Sequence, residues 1–174
     1  MDAAVAKEMD VRGINSVSHI AIKVSEIERS LAFYRDGLEF PEMFRLQKEG
    51  KLWIVYLSVT ETQFVELFPD AVGINPPWGT NALDHFCLEV DDLHAVVARI
   101  HAKGIELYRW EETGPGKDPR MVSDGLNSIT KGADGNLQAW LRDPDGNRLE
   151  LMQMLEGNMQ QEAIARLRAT RSER

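Results

Sequence analysis

An eight-residue pattern occurs twice in this chain, and no other feature restricts its fold as severely. Val17-Ser-His-Ile-Ala-Ile-Lys-Val24 is followed by Ser25 and an apolar-periodic run to Tyr34, while Leu83-Asp-His-Phe-Cys-Leu-Glu-Val90 is followed by Asp91 and a run to Ile100. Such self-similarity means one supersecondary unit built twice. Within each copy the residues alternate. Ile20, Ile22 and Val24 occupy one strand face and His19 and Ala21 the other; Phe86, Leu88 and Val90 oppose His85 and Cys87 in the same way. Ile27, Leu31 and Tyr34, then Leu93, Val96, Val97 and Ile100, recur at helical spacing and supply stripes to cover the apolar faces. Ser25 or Glu26 and Asp91 or Asp92 are candidate N-caps, and Gly37 and Gly104 candidate C-terminal glycines.

After each helix the pattern returns to strands, about Pro41–Leu46, Leu52–Val59 and Gln63–Phe68 in the first half. In the second they are Glu106–Trp110, a short piece around Ser128, Leu137–Arg142 and Arg148–Met154, with Asp143-Pro-Asp-Gly-Asn147 as the turn between the last two. The expected fold is therefore α+β: two tandem βαβββ modules around a cup-shaped mixed sheet. The modules span 14–69 and 83–155, with a tail at 1–13, a Pro- and Gly-rich linker at 70–82, and a C-terminal helix and tail at 156–174 whose Ile164 and Leu167 point inward. Glu66 and Glu150 are farther apart in sequence than His19 and His85, so the second half carries an insertion. The polar, glycine-rich stretch 111–136 is read as that inserted loop.

His19, Glu66, His85 and Glu150 stand at equivalent places in equivalent halves, all pointing away from the leucine and valine layers. Burying two carboxylates on one face costs several kcal/mol each without a cation. Two imidazoles and two carboxylates suit a divalent ion with positions left open for substrate oxygens. The expectation is one such ion per chain, nickel, cobalt, zinc, manganese or iron. Trp53, Tyr56, Gln138 and Trp140 are candidates to line the cup, Lys117, Arg120 and Lys131 in the inserted loop to hold a substrate anion, and Cys87 a small buried filler.

Charge and composition narrow the partners. With 20 Lys+Arg against 28 Asp+Glu the net charge is −8, which disfavours nucleic acid and anionic lipid. One cysteine excludes an intrachain disulfide, and no apolar run approaches the roughly 18 residues of a membrane span, so the reading is a cytoplasmic protein.

The paired modules, Ser18-His-Ile-Ala-Ile, Asp84-His-Phe-Cys-Leu, Phe33-Tyr34 before Gly37-Leu38, and Asp143-Pro-Asp-Gly-Asn-Arg-Leu-Glu150 together resemble the vicinal oxygen chelate superfamily, which includes glyoxalase I, bleomycin resistance proteins and extradiol dioxygenases. The resemblance covers about 14–154. It implies a cup around a divalent ion, a small substrate offering two adjacent oxygens, and a homodimer. A glutamate at position 66 is similar to glyoxalase I. That implies a lactoylglutathione lyase type of isomerisation by proton transfer through a metal-stabilised enediolate, with Glu150 as base and Glu66 as the symmetry-related alternative. The alternatives are an epimerase or isomerase of another oxygen-rich metabolite (CoA thioester, keto acid or keto sugar), and a metal-free small-molecule-binding or resistance protein.

Overall fold

The computed structural model describes residues 16–71, 83–111 and 120–172. Its first half runs β1 (His19–Lys23), α1 (Ile27–Leu31) continuing into a π-helical turn (Ala32–Gly37), β2 (Glu42–Lys48), β3 (Lys51–Ser58) and β4 (Phe64–Phe68). The second runs β5 (His85–Glu89), α2 (Leu93–Ala102), β6 (Tyr108–Glu111), β7 (Arg120–Ser123), a 3-10 turn (Gly125–Asn127), β8 (Thr130–Lys131), β9 (Leu137–Arg142) and β10 (Arg148–Gln153); α3 (Met159–Ser172) follows.

The strands form two mixed sheets, ordered β1-β4-β3-β2 and β5-β10-β9-β6-β7, with β8 pairing the outside of β9. The α+β class expected from the repeat is what the chain adopts. In each sheet the first strand is parallel to the last, His19–Lys23 beside Phe64–Phe68 and His85–Glu89 beside Arg148–Met152. Alternation then sorts the side chains. Ile22, Val55, Leu57, Val65 and Leu67 pack under Leu31 and Tyr34, and Phe86, Ala139, Leu141, Leu149 and Leu151 pack under Leu93, Val97 and Ile100. The opposite, open face of each sheet is left for polar and aromatic groups.

The halves are tied at a polar seam. Tyr34 Oη donates to Asp143 Oδ2 at 2.8 Å, and the Ser25 amide donates to Asp145 Oδ1 at 3.1 Å. Glu39 pairs with Arg99 and Lys103 of α2, and Lys103 Nζ also donates to the Asp36 carbonyl at 2.9 Å. Tyr34 lies within the π-helical turn, which closes with the wider i→i−5 bond from Leu38 N to Phe33 O at 2.9 Å.

Four expectations need correction. Part of the inserted stretch is not loop but sheet: β7 pairs with β6 from Tyr108↔Ser123 to Glu111↔Arg120, because Met121 and Val122 are good strand residues bounded by turn formers. Gly37 is not a left-handed cap. A Cβ there would press on the end of the Ile105 side chain, which would have to move, and the left-handed residue is Glu39 at φ 64°. Gly104, at φ 76°, does close α2 as expected, and Asp92 caps it by accepting from the Ala95 amide. Ile164 and Leu167 of α3 are exposed rather than inward. Cys87 is also exposed, since it lies on the open face. The tail, most of the linker and Lys117 lie outside the described residues.

Candidate functional site

Each sheet presents one histidine–glutamate pair on its open face. In the first, β1 carries His19 and neighbouring β4 carries Glu66, with His19 Nδ1 3.7 Å from Glu66 Oε1. Glu66 is 8% exposed and His19 49%. A row of register partners, Ala21, Glu66, Tyr56 and Phe44, crosses this sheet. A side-chain hydrogen bond to Glu66 raises the Tyr56 phenol above its ordinary range, and Phe44 stacks on Tyr56 with centroids 4.4 Å apart.

In the second sheet β5 carries His85 and β10 carries Glu150, with His85 Nε2 3.2 Å from Glu150 Oε2. The other ring nitrogen, Nδ1, lies 2.8 Å from Asp84 Oδ1. Asp84 is in turn gripped by buried Arg148, whose Nη2 is 3.1 Å from Asp84 Oδ2 and whose Nε donates to the Asp84 carbonyl at 3.0 Å. A carboxylate behind one imidazole nitrogen fixes the tautomer and aims the other nitrogen, the arrangement that orients histidine ligands in metal sites. Trp140 stands edge-on to His85 at 4.8 Å, Trp110 edge-on to Trp140 at 5.6 Å, and the Arg148 guanidinium lies 6.0 Å over Trp110. Cys87 shares this face. Desolvation first, then the charge of Glu150, pushes its thiol up to about 12.

The expected cup residues separate accordingly. Trp140 and Gln138 are register partners of Glu150 and Met152, so they share the open face of the second sheet. Trp53 belongs to the first sheet, edge-on to Phe68 and under Lys48 Nζ at 5.7 Å. Arg120 is occupied, since its Nη2 donates to Glu111 Oε2 at 2.9 Å. Tyr56 also stands on the open face of the first sheet, beside Glu66. Sequence reasoning missed Asp84, Trp110 and Arg142. Asp84 was legible as the acid preceding His85; Trp110 and Arg142 needed the β6–β9 register.

Four ligands do not meet within one chain. Among the described residues no three His, Cys, Asp or Glu side chains converge to hold a metal ion. The donor chemistry nevertheless fits a divalent ion in halves. Each pair couples an imidazole to a carboxylate that is mostly withdrawn from water, and His85 is already oriented by Asp84.

The sequence profile of the Glyoxalase/Bleomycin resistance protein/Dioxygenase superfamily matches residues 16–151. The chain belongs to that superfamily. A lactoylglutathione lyase of Neisseria meningitidis is 26% identical over 147 residues, covering 80% of this chain and 91% of the relative. The human mitochondrial methylmalonyl-CoA epimerase is 27% identical over 104 residues, covering 55% of this chain and 57% of the relative. Among solved structures, a glyoxalase family protein from Enterococcus faecalis superposes with TM-score 0.58 at 22% identity, covering 79% of this chain and 96% of that one. TnmS3, an antibiotic-binding protein from Streptomyces sp. CB03234, superposes with TM-score 0.53 at 20% identity, covering 82% and 98%. Membership in the glyoxalase superfamily thus fixes the fold and the class of small-molecule sites, and the superfamily includes enzymes as well as binding proteins. No helix among the described residues is long and apolar enough to cross a membrane.

Proposed function

We propose that this chain is a metal-dependent isomerase or lyase of the lactoylglutathione lyase type, whose metal site is completed between two copies. The observation that carries this reading is the duplicated histidine–glutamate pair, with one pair already aimed by Asp84. β1 and β5 are edge strands of their sheets. Val17 and Leu83, at equivalent places before the two histidines, are exposed large apolar residues. Edge strands with apolar flanks favour pairing with another chain. Joining β1 of one copy to β5 of its partner about a two-fold axis brings His19 and Glu66 to the partner subunit's complementary pair, twice per dimer. That is one ion per chain.

A divalent ion held there would supply Lewis-acid polarisation of two adjacent substrate oxygens. The chain's own residues account for the proton. Glu66 is engaged by the Tyr56 phenol, whereas the matching place beside Glu150 is Trp140. Glu150, whose cross-strand neighbour is Trp140 rather than a phenol, is the acceptor for a carbon-bound proton in this reading, and returns it to the adjacent carbon. Trp140 and Trp110 exclude water from one flank of that glutamate's sheet.

Complementation tests both parts. A His19→Ala/Glu66→Gln chain and a His85→Ala/Glu150→Gln chain are each expected to lose metal and S-lactoylglutathione formation from methylglyoxal and glutathione. Mixed and refolded together, they regain about one intact site per heterodimer. No regain, with heterodimers present by light scattering, would refute the shared site. Metal retention without product under any loading would refute the lyase assignment, and solvent-deuterium exchange into CoA thioesters, keto acids and keto sugars then identifies an epimerase. The exposed aromatic surface of Phe44 and Trp53 favours one second reading, a metal-free binding protein. A chain that stays folded and binds its ligand after chelator treatment supports it.

A further inference from the structure

Arg142 differs from most arginines among the described residues. Arg35, Arg45, Arg99, Arg109, Arg120 and Arg148 each pair with a carboxylate. Arg142 is exposed, and among the described residues it pairs with none; its one side-chain contact is Nη2 to Met121 Sδ at 3.8 Å. Its place in the sheet is defined by register. Arg142 opposes Arg148, and Arg148 opposes His85, so all three project from the open face that carries Glu150 and Trp140. Tyr108, the register partner of Trp140, stands near enough for the Arg142 charge to lower its pKa against the larger effect of burial, which together with Glu106 pushes the phenol up to about 12. Two guanidinium groups directly opposite across a ladder repel one another, and only Arg148 is neutralised locally, by Asp84.

We infer that Arg142 is the receptor for an anionic group of the substrate, a carboxylate or a phosphate. The site is two strand spacings, roughly 10 Å, from the β5 strand bearing His85. Met121 and Tyr108 lie beside it, and Trp140 projects from the same sheet face toward His85. The substrate is then a molecule with an anionic end separated from its reacting carbon by a short spacer that lies along the tryptophans. A guanidinium fork takes such a group bidentately. The span rests on the proposed location of the reacting centre at His85 and Glu150, but the anion site itself requires no metal.

The test uses 4-nitrobenzoate and its neutral isostere 4-nitrobenzamide, with binding followed by quenching of tryptophan fluorescence and by calorimetry. Metal-free wild type is expected to bind the benzoate about tenfold or more tightly over the benzamide, the worth of one charge-assisted pair. Arg142→Ala and Arg142→Gln lose that preference while keeping benzamide affinity, and Arg142→Lys keeps part of it. Equal binding by wild type, or a preference that survives both neutral variants, overturns the inference. The same titrations with inorganic phosphate as competitor show whether phosphate uses the site. Metal content separates the two proposals: an Arg142-dependent preference in a protein that retains no ion sinks the metal reading alone, and a retained ion without the preference sinks this one alone.

Discussion

Replacing Tyr34 with phenylalanine deletes the one hydroxyl that joins the first helix to the 143–147 turn. Tyr34 is fully buried, and its hydroxyl donates to Asp143 Oδ2 at 2.8 Å. That carboxylate also accepts from Asn147 Nδ2 at 2.7 Å and from the amides of Asp145 and Asn147 at 3.0 and 2.7 Å, so it keeps partners when the phenol goes. A hydrogen bond to a charged group contributes about 1.5–3 kcal/mol, and the surviving donors place this one near 2 kcal/mol. For a chain of this size that is a fall in Tm of about 4–8 °C. The pH dependence carries a sign. Burial outweighs the hydrogen bonds and raises Asp143 above the ordinary carboxylate range, so the folded form takes up this proton first as pH falls. This group therefore makes folding less favourable as pH rises from the ordinary carboxylate pKa through the raised one. The Tyr34 bond opposes that trend, because it favours the ionised form. The deficit of Tyr34→Phe is consequently largest above the raised pKa and shrinks as Asp143 becomes protonated. Urea unfolding at pH 7 and across the acid range measures it. A cost under about 0.5 kcal/mol at pH 7, or one that grows on acidification, would refute the reasoning.

Other outcomes follow from single contacts. Asp84→Asn removes the carboxylate behind His85 Nδ1 and is expected to weaken metal affinity about 10–100-fold in a chelator competition, and also to lower metal-free stability because buried Arg148 loses its counter-charge; unchanged affinity would mean that Asp84 serves only Arg148. Cys87, with its thiol pushed up by desolvation and by Glu150, should react with iodoacetamide at pH 8 more slowly than a free cysteine, and Glu150→Gln should accelerate it; a free-thiol rate contradicts the assignment of these causes. Gly37→Ala drives a methyl into Ile105 and should cost about 1–3 kcal/mol, largely recovered by adding Ile105→Ala, which a double-mutant cycle checks.

The legible part of this molecule is the part governed by short-range periodicity. His19, Ile20 and Ile22 alternate, and so do His85, Phe86 and Leu88; that alternation alone assigns the histidines to the open faces and the aliphatics to the helices. The Asp143–Asn147 turn was equally readable, because its residues have few alternatives to a turn. What could not be read is pairing between distant strands. Nothing local says that Met121 and Val122 leave the inserted stretch to pair with Arg109 and Trp110. Without that pairing, Arg120 looks like a loop cation and Arg142 like a strand-end charge. The actual ladder gives Arg120 to Glu111 and leaves Arg142 beside Met121. The separation of the two histidine–glutamate pairs is a tertiary fact of the same kind, since equivalent positions in a repeat become neighbours only through the symmetry axis that relates them.

The two halves began from one plan, and their differences divide the work. At the position opposite the glutamate, the first sheet has Tyr56, whose phenol serves the carboxylate, and the second has Trp140, which packs on the histidine. At the position before the histidine, the first has Ser18 and the second Asp84, and only the latter supplies an anion to Nδ1. The inserted stretch adds β7, with Met121, to the second sheet alone, paired on the strand that carries Trp110. Each change acts in one direction: Glu66 gains a phenol partner, His85 is aimed by Asp84, and the second sheet gains Met121 beside Arg142. Under the proposed function the first half is the one that holds the ion, and the second, with Glu150 and Trp140, is the one that moves the proton. Exchanging Tyr56 and Trp140 between the sheets should therefore lower turnover more than metal affinity, whereas equal losses in both would mean that the halves are interchangeable.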